Sequence, residues 1–228
     1  MHLTDHIPII YCTGKQTTES SMIRFHNVHI RFKETPLLQN LTFTVKAGDK
    51  MLFYGKSGIG KTTIFRLLLG FEEVQTGRIY FNEQPLDAET CWDIRHKTAY
   101  VSQDPDIGSG KVEHMLERIF SFKANQHIGL QKGKLEDLMD FLRLPMSMLD
   151  DDYEKLSGGE KQRIAILAAL LLERDIFLLD EVTSSLDTEL KHKIIERFMQ
   201  NRKWTVLDVS HDAAWLDAEN IRVIKLDR

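Results

Sequence analysis

The chain has 228 residues, of which 42% are hydrophobic and 28% charged, and a formal net charge of −4. A chain this long buries roughly 70% of the surface it exposes when unfolded, so its core requires neither a disulfide framework nor a structural metal. The slightly acidic balance gives no overall electrostatic footprint for nucleic acid. The longest apolar run, Ile164–Leu172, falls short of the roughly 20 residues that cross a bilayer.

Residues 1–21 are polar, rich in Thr and Ser, and lack the basic start and long apolar centre of a signal peptide. They read as an extension ahead of a domain spanning 22–228. Cys12, in this extension, and Cys91 show no ligand or disulfide spacing and read as free thiols. From Met22, "MIRFHNVHIRF" alternates as a strand does, and "LLQNLTFTVKAGDKMLFYG" continues with two more strands. The last runs into Gly55, and a helix is predicted from Gly60 to about Leu69. "GRIYFNE" and "KTAYVSQ" are further strands, the second ending at Gln103. Between Gln103 and Leu156, "KVEHMLERIFSF" and "KGKLEDLMDFLRL" carry apolar residues at helical spacing, and Pro145 is expected to close the second helix. This region, about 104–158, reads as an inserted helical subdomain. A helix over 159–172, the strand "IFLLD", a helix over 188–200, and the strands "WTVLDVS" and "IRVIKLD" complete the chain. Strands alternating with helices predict an α/β fold whose parallel sheet is covered on both faces.

The chemistry begins at "GKSGIGKTT", residues 55–63, which fits G-x-x-x-x-G-K-[ST] and lies between a strand and a helix. Gly55, Gly58 and Gly60 let backbone N–H groups close around a phosphate, because a Cβ would obstruct the turn, and Ser57 lies in the same phosphate-binding loop. Lys61 supplies a point charge to the β- and γ-phosphates, and the Thr62 hydroxyl, followed by Thr63, is placed to ligate Mg²⁺. "IFLLDE" then ends an apolar strand with Asp180, suited to hold Mg²⁺ through its water shell, and Glu181, suited to polarise an attacking water. "LSGGEKQR", residues 156–163, puts Ser157, Gly158 and Gly159 at a second helix start suited to an anion.

A P-loop, Gln103 after a strand, "LSGGEKQR", "LLDEVTSSLD" and "VSHD", in that order, resemble the ATP-binding subunit of ABC transporters over residues 22–228. The resemblance implies a P-loop NTPase core with a parallel sheet, an N-terminal antiparallel β subdomain and the inserted helical subdomain. It also implies a head-to-tail homodimer in which Ser157, Gly158 and Gly159 close over the partner's ATP. Gln103 corresponds to a residue that reaches the metal and the nucleophilic water. Asp187 corresponds to one at the dimer interface, and His211 to one that contacts the γ-phosphate. Phe32 falls at the position that stacks on adenine; the plainer alternative is a strand-end phenylalanine packed in the core.

The same resemblance places the protein peripherally on the cytoplasmic face of the inner membrane, beside a separate membrane-spanning permease. Val182 after the Asp-Glu pair, together with Leu144-Pro145 ahead of "LSGGEKQR", is similar to a bacterial subgroup linked to iron efflux. A soluble ABC ATPase acting on DNA or ribosomes is the alternative. The single cassette and negative charge weigh against it, and no nucleic-acid partner is expected. A P-loop kinase leaves "LSGGEKQR" and His211 without a role.

Overall fold

The computed structural model describes residues 21–32 and 35–226, except for the side chains of Phe32, Thr35 and Pro36. Residues 1–20 of the expected extension, with Cys12, lie outside the described residues; Cys91 is a buried free thiol. Strands β1 (Ile23–Phe32), β2 (Thr35–Val45), β4 (Thr76–Phe81) and β5 (Gln84–Pro85) form an antiparallel sheet in the order β2-β1-β4-β5. Strands β3 (Lys50–Tyr54), β6 (Thr98–Val101), β7 (Ile176–Asp180), β8 (Thr205–Ser210) and β9 (Arg222–Lys225) form a parallel sheet in the order β6-β7-β8-β3-β9. The expected α/β class and the two kinds of sheet are both present.

Because successive strand residues point to opposite faces, the parallel strands feed two cores. Met51, Phe53, Leu178, Leu207 and Val209 join the antiparallel sheet and helix α1 (Lys61–Leu68) in one core. Leu52, Phe177, Leu179 and Val206 face the other. There they meet the helices α3 (Val112–Ser121), α4 (Lys132–Phe141), α5 (Gly158–Leu171) and α6 (Thr188–Gln200). One position in β8 breaks this division. Asp208 pairs in register with Leu52 on one side and Leu179 on the other, and takes the face that those leucines take.

Two local details differ from the sequence expectation. The helix α4 ends at Phe141, before Pro145 is reached. Arg143 adopts a left-handed backbone with φ 54°, Leu144 N–H donates to Met139 O, and Arg143 N–H donates to Asp140 O. This is the pattern by which helix carbonyls are satisfied when a chain reverses, and Pro145 instead caps a 3₁₀ turn at Met146–Asp150. The short helix α2 (Cys91–Lys97) was not predicted. It buries only Cys91 and Ile94, too few residues to set up a readable helical period.

Candidate active site

Strand β3 delivers the chain to Gly55, where a Cβ would stand 2.6 Å from Leu226 O. At the other end of the loop Gly60 has φ 103°, and a Cβ there would stand 2.8 Å from the Leu37 side chain. Both positions therefore demand glycine. Gly60 caps α1 without offering a side chain, so the first N–H groups of that helix remain available to an anion.

Lys61 is almost fully buried at the start of this helix. Its Nζ donates to Gly55 O at 2.8 Å and Lys56 O at 3.1 Å, and pairs with Glu181 Oε1 at 3.0 Å. The neighbouring Thr62 Oγ1 donates to Asp180 Oδ1 at 3.1 Å, and Tyr100 OH donates to Asp180 Oδ2 at 3.1 Å. Burial raises the Asp180 carboxyl above the usual aspartate range against the pull of these two bonds. Burial, then the charge and hydrogen bond of Asp180, push the Tyr100 phenol above its ordinary value, so it stays a donor. A hydroxyl and a carboxylate converging beside a phosphate cradle are hard oxygen donors, the chemistry that suits Mg²⁺.

Glu181 follows Asp180 with φ 50°, and its N–H donates to Val209 O at 2.9 Å. This turn brings the carboxylate between two bases. His211 Nδ1 lies 3.1 Å from Glu181 Oε2, while Lys61 holds Oε1. Glu181 is buried, whereas the His211 side chain is 56% exposed. Asp212 fixes the loop that carries the histidine. It accepts from Ala214 N–H at 3.0 Å and Thr183 Oγ1 at 3.3 Å, and pairs with Lys191 at 2.5 Å. Burial opposes its charge, but these bonds hold its carboxyl below the ordinary range.

Together, Leu37, Ser57, Gly58, Gly60, Lys61, Thr62, Thr63, Gln103 and Glu181 line a cavity of 210 Å³. A wider hollow of 980 Å³ lies elsewhere, between Gly48–Lys50 and α6. It contains none of the predicted site residues. Lys50, at its edge, is spoken for by the carbonyls of Asn201 and Trp204. The smaller cavity has the glycines, lysine and hydroxyls that phosphate binding needs, and it is the candidate site.

The "SGG" residues stand apart from that cavity. Ser157 caps α5, its hydroxyl accepting from Glu160 N–H at 3.3 Å and donating to Glu160 Oε2 at 2.7 Å, while Ser157 N–H donates to Glu160 Oε2 at 2.8 Å. Those bonds draw the Glu160 carboxyl below the usual range. Ser157 and Gly158 are exposed. Gly159 packs close to the next loop, since a Cβ there would stand 3.1 Å from Ser185 O. Asp187 caps α6 by accepting from Leu190 N–H at 3.0 Å and lies 3.6 Å from Arg143. The Phe32 side chain lies outside the described residues.

Sequence reading missed three residues of this neighbourhood. Leu37 and Tyr100 reach it only through tertiary packing, and nothing local marks them. Asp208 did leave a signal, a lone carboxylate in the apolar strand "TVLDVS".

The family model described as ABC transporter matches residues 38–184. Among curated proteins, the iron-sulfur clusters transporter atm1 of Aspergillus fumigatus is 31% identical over 92% of this chain and 30% of its own length. The ATP-dependent lipid A-core flippase of Methylobacillus flagellatus is 34% identical over 92% of this chain and 37% of its own. The chain thus spans about a third of the length of these relatives. The energy-coupling factor transporter ATP-binding protein EcfA1 of Streptococcus mutans is 35% identical over 84% of this chain and 70% of its own. A bacterial Atm1-family ABC exporter with ATP bound has a similar structure, with TM-score 0.77 and 26% identity over 93% of this chain and 39% of that one.

Proposed function

The chain belongs to the ABC transporter family of nucleotide-binding domains, and on that premise we propose that it binds and hydrolyses ATP to drive a membrane transporter. The convergence of Lys61, Glu181 and His211 on a glycine-bounded cavity carries this reading. A triphosphate entering the cradle offers its oxygens to the α1 N–H groups and to Lys61, in place of the loop carbonyls that now hold the lysine. Phe32 is assigned to the adenine. Glu181 accepts a proton from the attacking water as its oxygen bonds to the γ-phosphorus and the bond to ADP breaks. His211 orients Glu181 and the γ-phosphate, and Gln103 faces the same cavity to position the water. Thr62 and Asp180 would hold Mg²⁺, which when bound neutralises charge on the phosphates.

Ser157 and Gly158 are exposed and away from their own chain's cavity. That supports a head-to-tail homodimer in which they close over the partner's ATP. Among the described residues no helix is long and apolar enough to cross a membrane, and the span is assigned to a separate permease, with this chain on the cytoplasmic face. Residues 22–228 act as one ATPase unit in this reading, with about 104–158 as the helical subdomain. Relatives named for iron–sulfur clusters and for lipid A match it about equally. Cargo choice is therefore assigned to the permease, and iron export is the narrower case of this function.

Phosphate release from Mg²⁺-ATP by the purified chain tests the proposal, with Lys61→Ala as the control. Release that depends on Lys61 supports it. No release, or equal release by the variant, rejects it.

A further inference from the structure

Asp180 is almost fully buried, and each of its carboxylate oxygens accepts a hydroxyl. The Thr62 bond to Oδ1 belongs to the phosphate loop and is explained by the site already described. The Tyr100 bond to Oδ2 is not. Tyr100 is not among the residues that line the 210 Å³ cavity, and it reaches Asp180 from the neighbouring strand.

Sheet register makes this reach possible. Tyr100 of β6 pairs with Leu178 of β7, and Asp180 takes the same face two residues later, roughly 6–7 Å further along the strand. A tyrosine ring with its hydroxyl spans that gap, whereas an aliphatic side chain would stop short. Helix α1 matches the pair. Thr62 and Phe65, three residues apart, share one side of that helix. Thr62 bonds Asp180, and the fully buried Phe65 meets the Tyr100 ring edge-on, with centroids 6.2 Å apart and planes at 79°. The ring is therefore oriented by packing, and its hydroxyl holds the oxygen that Thr62 leaves. A carboxylate turns easily about its last bond. Held at both oxygens, it cannot turn without breaking a hydrogen bond.

We propose that Tyr100 is a positioning residue for the Mg²⁺ site, its hydroxyl fixing the Asp180 carboxylate in the orientation that receives the ion together with Thr62. The Thr62 hydroxyl can give its proton to Asp180 and still offer lone pairs to a cation. Tyr100 has no such second duty, and touches neither nucleotide nor metal in this role. A carboxylate freed at one oxygen must be ordered as the ion binds, and that ordering weakens binding. Loss of the hydroxyl should thus weaken the cation's contribution and leave metal-free nucleotide binding alone. This inference rests on the ATPase reading of the site.

Binding of a fluorescent, non-hydrolysable ATP analogue to the full chain, measured in EDTA and across a Mg²⁺ titration, tests it. Tyr100→Phe keeps the ring against Phe65 and removes only the hydroxyl. Its affinity in EDTA should match the wild type. The Mg²⁺ concentration that gives half of the affinity gain should rise about 10-fold, the scale on which outer partners of metal ligands act. Tyr100→Leu also lacks the hydroxyl and should show the same shift, so it carries the comparison if the phenylalanine variant folds poorly. Urea midpoints without nucleotide or metal read folding separately. Unchanged Mg²⁺ dependence in either folded variant overturns the inference, even if its urea midpoint falls, because the bond then serves stability alone. A wild type that binds the analogue equally well with and without Mg²⁺ also overturns this inference alone. A wild type that binds no analogue in either condition overturns the function of the site, and this inference with it.

Discussion

Glu181 is placed by backbone before it is placed by charge. Its left-handed φ and its N–H bond to Val209 aim the carboxylate into the cradle, where Lys61 and His211 hold one oxygen each. An amide fills the same volume but cannot take a proton from water. Glu181→Gln should therefore lower the ATPase rate by ~10²–10⁴ while ATP still binds, with ATP-loaded dimer accumulating on gel filtration. Near-normal turnover would remove Glu181 from its role. Asp208 makes a separate prediction about stability. Its folded-state proton affinity is raised, so above the ordinary aspartate range the folded chain holds a proton that the unfolded chain releases. Stability from this group is fully present in acid. It is lost as pH rises toward the folded value, with a slope of about 1.4 kcal/mol per pH unit. Asp208→Val should remove that slope and raise stability most at neutral and alkaline pH, as read from urea midpoints. Parallel midpoint curves for the two proteins would mean that Asp208 holds no such proton.

Helix ends do much of the functional placement. Ser157 and Glu160 form a reciprocal cap on α5, and Asp187 caps α6, so residues expected to face a partner also hold their own helices. Ser157→Ala should cost about 0.5–2 kcal/mol in urea denaturation through the lost cap. Glu160→Gln should cost far less, because glutamine can complete the same box. Equal losses would mean that the charge of Glu160, rather than the box, stabilises α5. These ends also explain what could be read in advance. The phosphate loop and "LSGGEKQR" were legible because their function needs contiguous residues in a fixed local geometry. Helical spacing of apolar residues located α3 and α4. The end of α4 was misread because Arg143 takes a left-handed backbone usually supplied by glycine. Tyr100 was invisible because its bond to Asp180 spans 80 positions. Asp208 was visible, but its meaning depended on knowing which core its face of β8 enters.

At the scale of the molecule, the two segments proposed to hold phosphate do not meet in the chain's own fold. The P-loop cavity is lined by Lys61 and Glu181, while Ser157 and Gly158 lie exposed outside it. If the two complete each other between chains, mixing two inactive proteins should restore activity. Lys61→Ala removes the charge that holds the β- and γ-phosphates, and Ser157→Arg places a long side chain where another subunit must approach closely. Either homodimer carries its lesion at both sites. A mixed dimer gathers both lesions at one site and leaves the other with two wild-type halves, so its ATPase rate should exceed that of either parent, up to a limit set by the mixed fraction. If the sites worked within single chains, no mixture could assemble an intact one. Circular dichroism establishes that both variants are folded before mixing, and gel filtration with ATP reads dimer formation independently of turnover. Folded variants whose mixture shows neither activity above the parents nor ATP-dependent dimer would refute the shared site.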